Sequence, residues 1–275
     1  MLKVSAVGAL SVFAESLNAD DVVPSEHGIP RVDYHVHIGD EISVAQAIKV
    51  SQERGIKFGL LQHAGARGHG YAVSNDEELM AWIGSLQGKA VFKGIEAEGT
   101  DWRSAFSTTV LAQADYIQSD PLGMPDETGA PMQLWRPDFR CDDPQKFMDR
   151  YVDFHVQLIS AEPIDILAVP TFLPDNLRAN YAQLWTEARM QKVIDAAVKF
   201  NVALEMDSRF RVPSLRFLQI AKAAGVKFSF GSNYQTTQGI GDIQYGVNMY
   251  KQLGLTLNRF FHPAAATKKP VLVRR

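Results

Sequence analysis

The sequence predicts an α/β fold in which parallel strands alternate with helices around a barrel. Three observations carry that prediction. Strand-like and helix-like patterns alternate from Val32 to Leu253. Seven strand patterns fit into about 240 residues, the spacing of repeated βα units. Polar residues able to do chemistry recur where the strands end, which is where such barrels place their active residues.

The first strand pattern, Val32-Asp33-Tyr34-His35-Val36-His37-Ile38, alternates β-branched or aromatic with polar residues and ends at Gly39-Asp40. A helix follows from Ser43 to Arg54, with Ser43 as N-cap and Gly55 as its stop. Lys57 to Gln62 is the second strand, ending at His63-Ala64-Gly65. Ser74-Asn75-Asp76-Glu77 opens a second helix in capping-box style, running to Leu86. The third strand is Lys89 to Glu96, then come a short helix from Arg103 to Ala112 and a fourth strand, Asp115 to Gln118, ending at Ser119-Asp120. Pro121 to Asp143 is rich in Pro, Gly and Asp without any period, and a loop of that length is expected to serve as a lid or substrate wall. The remaining units are a helix from Pro144 to Ala161, a strand from Ile164 to Val169, a helix from Trp185 to Phe200, a strand from Val202 to Met206, a helix from Pro213 to Ala224, a strand from Val226 to Phe230, and a helix from Ile240 to Leu253. His155 lies on the helix from Pro144 and is assigned no chemistry. The tail from Thr256 is expected to wrap the barrel.

Residues 1–30 stand apart from this pattern as an N-terminal segment, leaving 31–275 as one barrel domain. Lys3 precedes a weakly apolar, small-residue run to Ala14, the layout of an export signal, with Leu17-Asn18-Ala19 as a cleavage site. The run resembles the second half of a twin-arginine signal, with Met1-Leu2-Lys3 in place of the tripeptide after the arginine pair. Periplasmic export is the expectation. The other reading is an N-terminal helix packed on a cytoplasmic domain.

Composition bounds the function. In 275 residues the hydrophobic fraction is 46% and the charged fraction 21%, ordinary for a soluble globular protein. A formal net charge of −3 argues against a nucleic-acid or anionic-membrane partner. One cysteine, Cys141, excludes an internal disulfide framework and a cysteine-rich zinc module. No stretch is long and apolar enough to span a bilayer.

Period two sends His35 and His37 to one side of their strand, where two imidazoles can chelate one metal ion. Asp33 is at hand as an acceptor that would orient them. His63, Glu96, Asp120, Thr171, Glu205, Asp207 and the run from Asn233 to Gln235 lie at the ends of later strands. Imidazoles and a carboxylate converging from three consecutive strands suit one divalent ion (zinc, manganese or iron), or two bridged by Glu96.

These motifs resemble the polymerase and histidinol phosphatase family of metal-dependent phosphoesterases. Asp33-Tyr34-His35-Val36-His37 matches that family's opening D-x-H-x-H. Leu60 to Gly65 stands at its T-D-H-G signature and keeps the histidine, and Gly94-Ile95-Glu96 resembles its G-x-E strand. The resemblance implies a distorted, TIM-like seven-stranded β/α barrel holding metal ions that activate water against a phosphate ester. Three later motifs depart from the family pattern. Asp120 stands where a histidine ligand is expected, Val169 replaces a histidine before proline, and Asn233 and Gln235 replace both ligands of the closing G-S-D-x-H. A reduced centre is therefore expected.

The resulting expectation is a metal-dependent hydrolase of a small, anionic ester. His35, His37 and Glu96 hold the principal metal, and His63 and Asp120 serve as further ligands or as an acid/base pair. Arg67, His69 and Arg209 are placed to bind an anionic group, and Asn233 and Gln235 to hydrogen-bond substrate. Two alternatives stand beside it. One is an amidohydrolase-like enzyme, which also opens with H-x-H but needs a late aspartate where Asn233 stands. The other is a ligand-binding or structural protein on a barrel that has lost its chemistry. Oligomeric state is not legible.

Overall fold

The computed structural model describes residues 28–66 and 71–274. The expected export signal, Arg67 and His69 lie outside those residues. Among the described residues, eight parallel strands form the sheet: β1 (Val32–His37), β2 (Lys57–Leu61), β3 (His63–Gly65), β4 (Phe92–Glu98), β5 (Tyr116–Ser119), β6 (Ile166–Leu167), β7 (Ala203–Asp207) and β8 (Phe228–Gly231). β2 pairs with β1 and with the start of β4, while β3 pairs with the end of β4, so β2 and β3 act as one strand interrupted at Gln62. The order is then β1-β2/β3-β4-β5-β6-β7-β8, every pair parallel. At the far edge, Asn233 N–H donates to the His35 carbonyl at 3.0 Å and Ser232 N–H to Asp33 Oδ1 at 2.9 Å, bringing the end of β8 against β1. Seven strand positions thus make a nearly closed β/α barrel, the expected fold class.

Among the described residues, ten α-helices follow in order: α1 (Val44–Arg54), α2 (Asp76–Ser85), α3 (Thr108–Leu111), α4 (Pro144–Ala161), α5 (Asp175–Arg178), α6 (Tyr181–Leu184), α7 (Glu187–Phe200), α8 (Leu215–Ala224), α9 (Gln244–Leu253) and α10 (Pro270–Val273). Their ends follow from local chemistry. The Ser43 hydroxyl accepts from Gln46 N–H while the Gln46 side chain accepts from Ser43 N–H, and Gly55 closes α1 in the left-handed region. Three of the boundaries that differ from the sequence pattern have a local cause. The expected helix from Arg103 splits, because Phe106 is extended and Ser107 caps α3 afresh. α8 begins after Pro213, since the Ser214 side chain caps it. α9 begins at Gln244 rather than Ile240, because Gly241, at φ +81°, turns its N–H onto the Asp33 carboxylate. None of the helices among the described residues is long and apolar enough to cross a membrane.

Aromatic residues fill the barrel toward the N-terminal ends of its strands. The Tyr34 ring stacks on Phe92 and meets Tyr116 and Phe261 edge-on at 5.2 and 5.1 Å. The Tyr116 hydroxyl donates to the Tyr34 carbonyl at 2.6 Å, so the buried phenol is satisfied. Glycines on β2 and β4 make room for that ring: a Cβ at Gly94 would lie 2.4 Å from Tyr116 Cζ and 2.6 Å from Leu61 Cδ2. The tail does wrap the barrel, with Phe260 and Phe261 buried and Phe261 N–H donating to the Phe228 carbonyl.

Two outcomes follow for stability. Gly94→Ala overpacks this layer and is expected to cost about 1–3 kcal/mol in urea unfolding; an unchanged midpoint would show that Tyr116 can move aside. Asp165, buried ahead of β6, has its carboxyl pushed up to about 7 by burial, against the Ile117 N–H bond and the charges of Lys269 and Arg274. The neutral acid is therefore the form the fold prefers, and stability is lost as pH rises from about 4 towards 7. Asp165→Asn should be more stable than wild type at pH 8, by on the order of 2–4 kcal/mol, with the gap closing below pH 4. A gap that stays constant over that range would refute the assignment.

Candidate metal centre

β1 delivers both histidines to one side, as its period requires. His35 is buried, with Nε2 2.9 Å from His37 Nε2 and 3.4 Å from Glu96 Oε1, while His37 Nε2 lies 3.4 Å from Glu96 Oε2. Ligand atoms held about 2.0–2.1 Å from one ion stand roughly 2.9–3.4 Å apart, depending on whether the arrangement is octahedral or tetrahedral. The three side chains present the edges of such a polyhedron, and two imidazoles with one carboxylate are a suitable donor set for zinc, manganese or iron.

A second carboxylate orients the set. His35 Nδ1 donates to Glu205 Oε1 at 2.8 Å, which leaves Nε2 as the ligating atom. The other Glu205 oxygen accepts from Val169 N–H at 2.7 Å. Gly231 permits this closeness, since a Cβ there would meet Glu205 Oε1 at 1.7 Å and His35 Cβ at 2.8 Å. Asp33 has a different role from the one its position suggested. Its carboxylate accepts backbone N–H groups from His35, Ser232 and Gly241, and so fixes the strand rather than an imidazole. The β1–β2 register shifts between Asp33 and Val36, and the His35 N–H, taken by Asp33, belongs to that irregularity.

His63, at the start of β3, joins the set from the side. Its ring stacks on His37 with centroids 4.6 Å apart, and Nδ1 lies 3.4 Å from Glu96 Oε2 and 2.6 Å from Glu98 Oε1. His63, Glu96 and Glu98 form a second group able to hold an ion, sharing Glu96 with the first. Asp120 belongs to neither group. It is half-buried and accepts Leu122 N–H at 2.9 Å, and burial beside Glu96 and Glu98 pushes its carboxyl well above the usual range. Asn233 Nδ2 donates to Asp207 Oδ2 at 3.0 Å, bracing a carboxylate. Gln235 is exposed at the rim of a small recess it shares with His37 and His63. Arg209 donates to the Asn233 carbonyl at 3.2 Å.

The site is electrostatically primed for a cation. Burial opposes a charge on His35, yet Glu205, Glu96 and Asp207 raise its pKa to about 10. Burial likewise opposes His63, and the Glu98 bond with the nearby Glu96 and Asp120 brings it to about 9. His37 goes the other way, held well below the usual range by burial and by His35, His63 and Arg209, and is neutral. Its Nδ1 is buried without a partner among the described residues.

The sequence places Glu205 and Asp207 at a strand end without giving them a role, and it does not mark Glu98 as a site residue. β4 runs two residues past the expected end, which carries Glu98 into the strand with its side chain on the Glu96 side. The signal for Glu205-Met206-Asp207 was there, because two carboxylates at alternate positions of an apolar strand need a partner. His155, assigned no chemistry, is buried with Nδ1 2.7 Å from the Tyr151 carbonyl, and burial lowers its pKa to about 4.

No family model matches the chain, and comparison with curated proteins finds no match. Among solved structures it is similar to the catalytic domain of a mannanase from Streptomyces sp. SirexAA-E, at 13% identity over 92% of this chain and 83% of that one, with a TM-score of 0.40. A β-mannanase from Streptomyces thermolilacinus is similar at 14% identity, covering 90% of this chain and 85% of that one, also at a TM-score of 0.40. Likenesses this distant carry no argument about chemistry, and the barrel rests on its own strand order.

Glu205→Gln keeps the shape but weakens the acceptor of the His35 N–H. It should lower zinc affinity about 10–100-fold in a competition titration with a chromogenic chelator, with the circular dichroism spectrum unchanged. Unaltered affinity would remove Glu205 from the centre.

Proposed function

We propose that the protein is a metal-dependent hydrolase acting on an ester of a small molecule, with a reduced form of the polymerase and histidinol phosphatase centre. The observation that supports this best is the convergence of His35, His37 and Glu96 at ligand-edge distances, with Glu205 holding the His35 tautomer. When bound, a divalent ion lowers the pKa of water towards neutrality and polarises the ester oxygen.

The chain's own residues divide the remaining work. His35 and His37 present Nε2 and Glu96 both oxygens to one point, while Gln118 Nε2, 3.1 Å from Glu96 Oε1, keeps that carboxylate in place. His63 stands at the boundary between this buried set and the open cleft outside, its Nδ1 on Glu98, and is the group positioned to pass a proton to a departing oxygen. Arg209, near enough to His37 to lower its pKa, supplies positive charge at the rim for an anionic ester group.

Purified protein should carry about one equivalent or more of a transition metal. Loaded with zinc or manganese, it should hydrolyse 4-nitrophenyl phosphate or 4-nitrophenyl acetate with a kcat/KM at least about 100-fold above that of the His35→Ala/His37→Ala variant. Equal rates in the two proteins, or a wild type indifferent to chelator, would favour a barrel that binds a ligand without chemistry.

A further inference from the structure

We propose that the cleft beside the candidate centre binds a neutral, polyhydroxylated ring of the sugar class, which would be the non-reacting part of the substrate if the hydrolase reading above holds. The cleft has a volume of about 760 Å³ and begins at His63 and Glu98, so whatever fills it lies next to the metal ligands. That size suits a sugar or short oligosaccharide rather than a lone ester group.

One wall is built by the loop that the sequence marked as aperiodic. Met132 N–H donates to the Met124 carbonyl, Leu134 N–H to Leu122, and Asp126 N–H to Ala130, which makes a short hairpin arm. Its outgoing limb alternates. Leu134 is buried and Met132 packs on the core, whereas Pro131, Gln133 and Trp135 line the cleft. Trp135 keeps 50% of its surface in water, while Trp82, Trp102 and Trp185 are at 8%, 1% and 1%. An indole held open on a cleft wall offers a flat apolar face to a ligand.

Another part of the cleft is acidic and polar. Asp40, Glu98 and Asp101 line it, with Gln62 and Thr100, and no lysine or arginine does so among the described residues. The side chains of Asp40, Asp101 and Gln133 make no hydrogen bond to another described residue, so they remain available. Glu98 is bonded to His63, so the carboxylates of Asp40 and Asp101, unpaired among the described residues, are the ones that disfavour an anion. An ammonium ion would satisfy the carboxylates and the indole but has no acceptor for the amide N–H donors of Gln62 and Gln133. Hydroxyl groups donate to carboxylates and accept from amides, and the C–H face of a pyranose covers an indole. A sugar ring is therefore the chemistry that answers every wall.

The test is binding, kept separate from turnover by using chelator-treated full-length protein. Trp135 is the exposed fluorophore, so a ligand in the cleft should quench and blue-shift its emission. Cellotetraose, mannotetraose and xylotetraose are titrated beside spermine and citrate. At least one neutral tetrasaccharide should quench saturably in the millimolar range. Asp101→Asn or Gln133→Ala should weaken it about tenfold, and Trp135→Ala should do the same by calorimetry. No saturable signal from the three sugars, or a response to spermine or citrate alone, overturns the proposal. Sugar binding without ester hydrolysis leaves it standing and sinks the hydrolase reading; hydrolysis without sugar binding does the reverse.

Discussion

Three backbone N–H groups, one from β1 itself and two from much later in the chain, meet on the carboxylate of Asp33, and the geometry of the site depends on that meeting. His35 N–H comes from β1 itself, Ser232 N–H from the end of β8, and Gly241 N–H from the turn before α9. Burial pushes the Asp33 carboxyl up while these donors pull it back, so the group is held by backbone hydrogen bonds and not by a countercharge. With β8 drawn onto β1, Gly231 lies against Glu205 and the His35 Cβ, and Glu205 can reach the imidazole. Barrel closure and histidine orientation are thus one event.

Burying so many carboxylates around His35 has an electrostatic consequence. Glu96, Glu205 and Asp207 are all nearly inaccessible, and burial raises the pKa of Glu96 and takes that of Asp207 to about 8. A cluster of this kind costs stability unless protons or a cation neutralise it. The raised pKa values favour a protonated His35 and a neutral Asp207. A divalent ion at the His35–His37–Glu96 point would serve the same end with better geometry, because it meets both Nε2 atoms, which otherwise face each other at 2.9 Å.

The sequence made the scaffold legible because periodicity and caps are local. Strand and helix patterns from Val32 onward require no knowledge of partners, and Ser43, Gly55 and Ser107 act within a few residues of themselves. The first half of the site was legible for the same reason, since H-x-H on one strand fixes two side chains at once. What was hidden depends on contacts across the barrel. Glu205 reaches His35 over 170 positions, and Asp33 serves backbone groups about 200 positions away, so neither role has a local signature. The cleft wall was partly visible: composition marked the loop from Pro121 as a wall, but its alternation from Pro131 to Trp135 appears only once the hairpin pairing is known.

Two residues in the left-handed region, Val169 and Asn233, support the carboxylates around His35. Val169, at φ +45°, brings no ligating side chain, but its backbone N–H holds Glu205. Asn233, also in the left-handed region, gives its amide to Asp207 and its backbone N–H to His35. The Val169 backbone N–H and the Asn233 side-chain amide each give a hydrogen bond to a carboxylate near His35. Such bonds reduce the repulsion among buried acids and favour their charged forms. The candidate ligand set on β1 and β4 does not rest on the side chains of Val169 or Asn233.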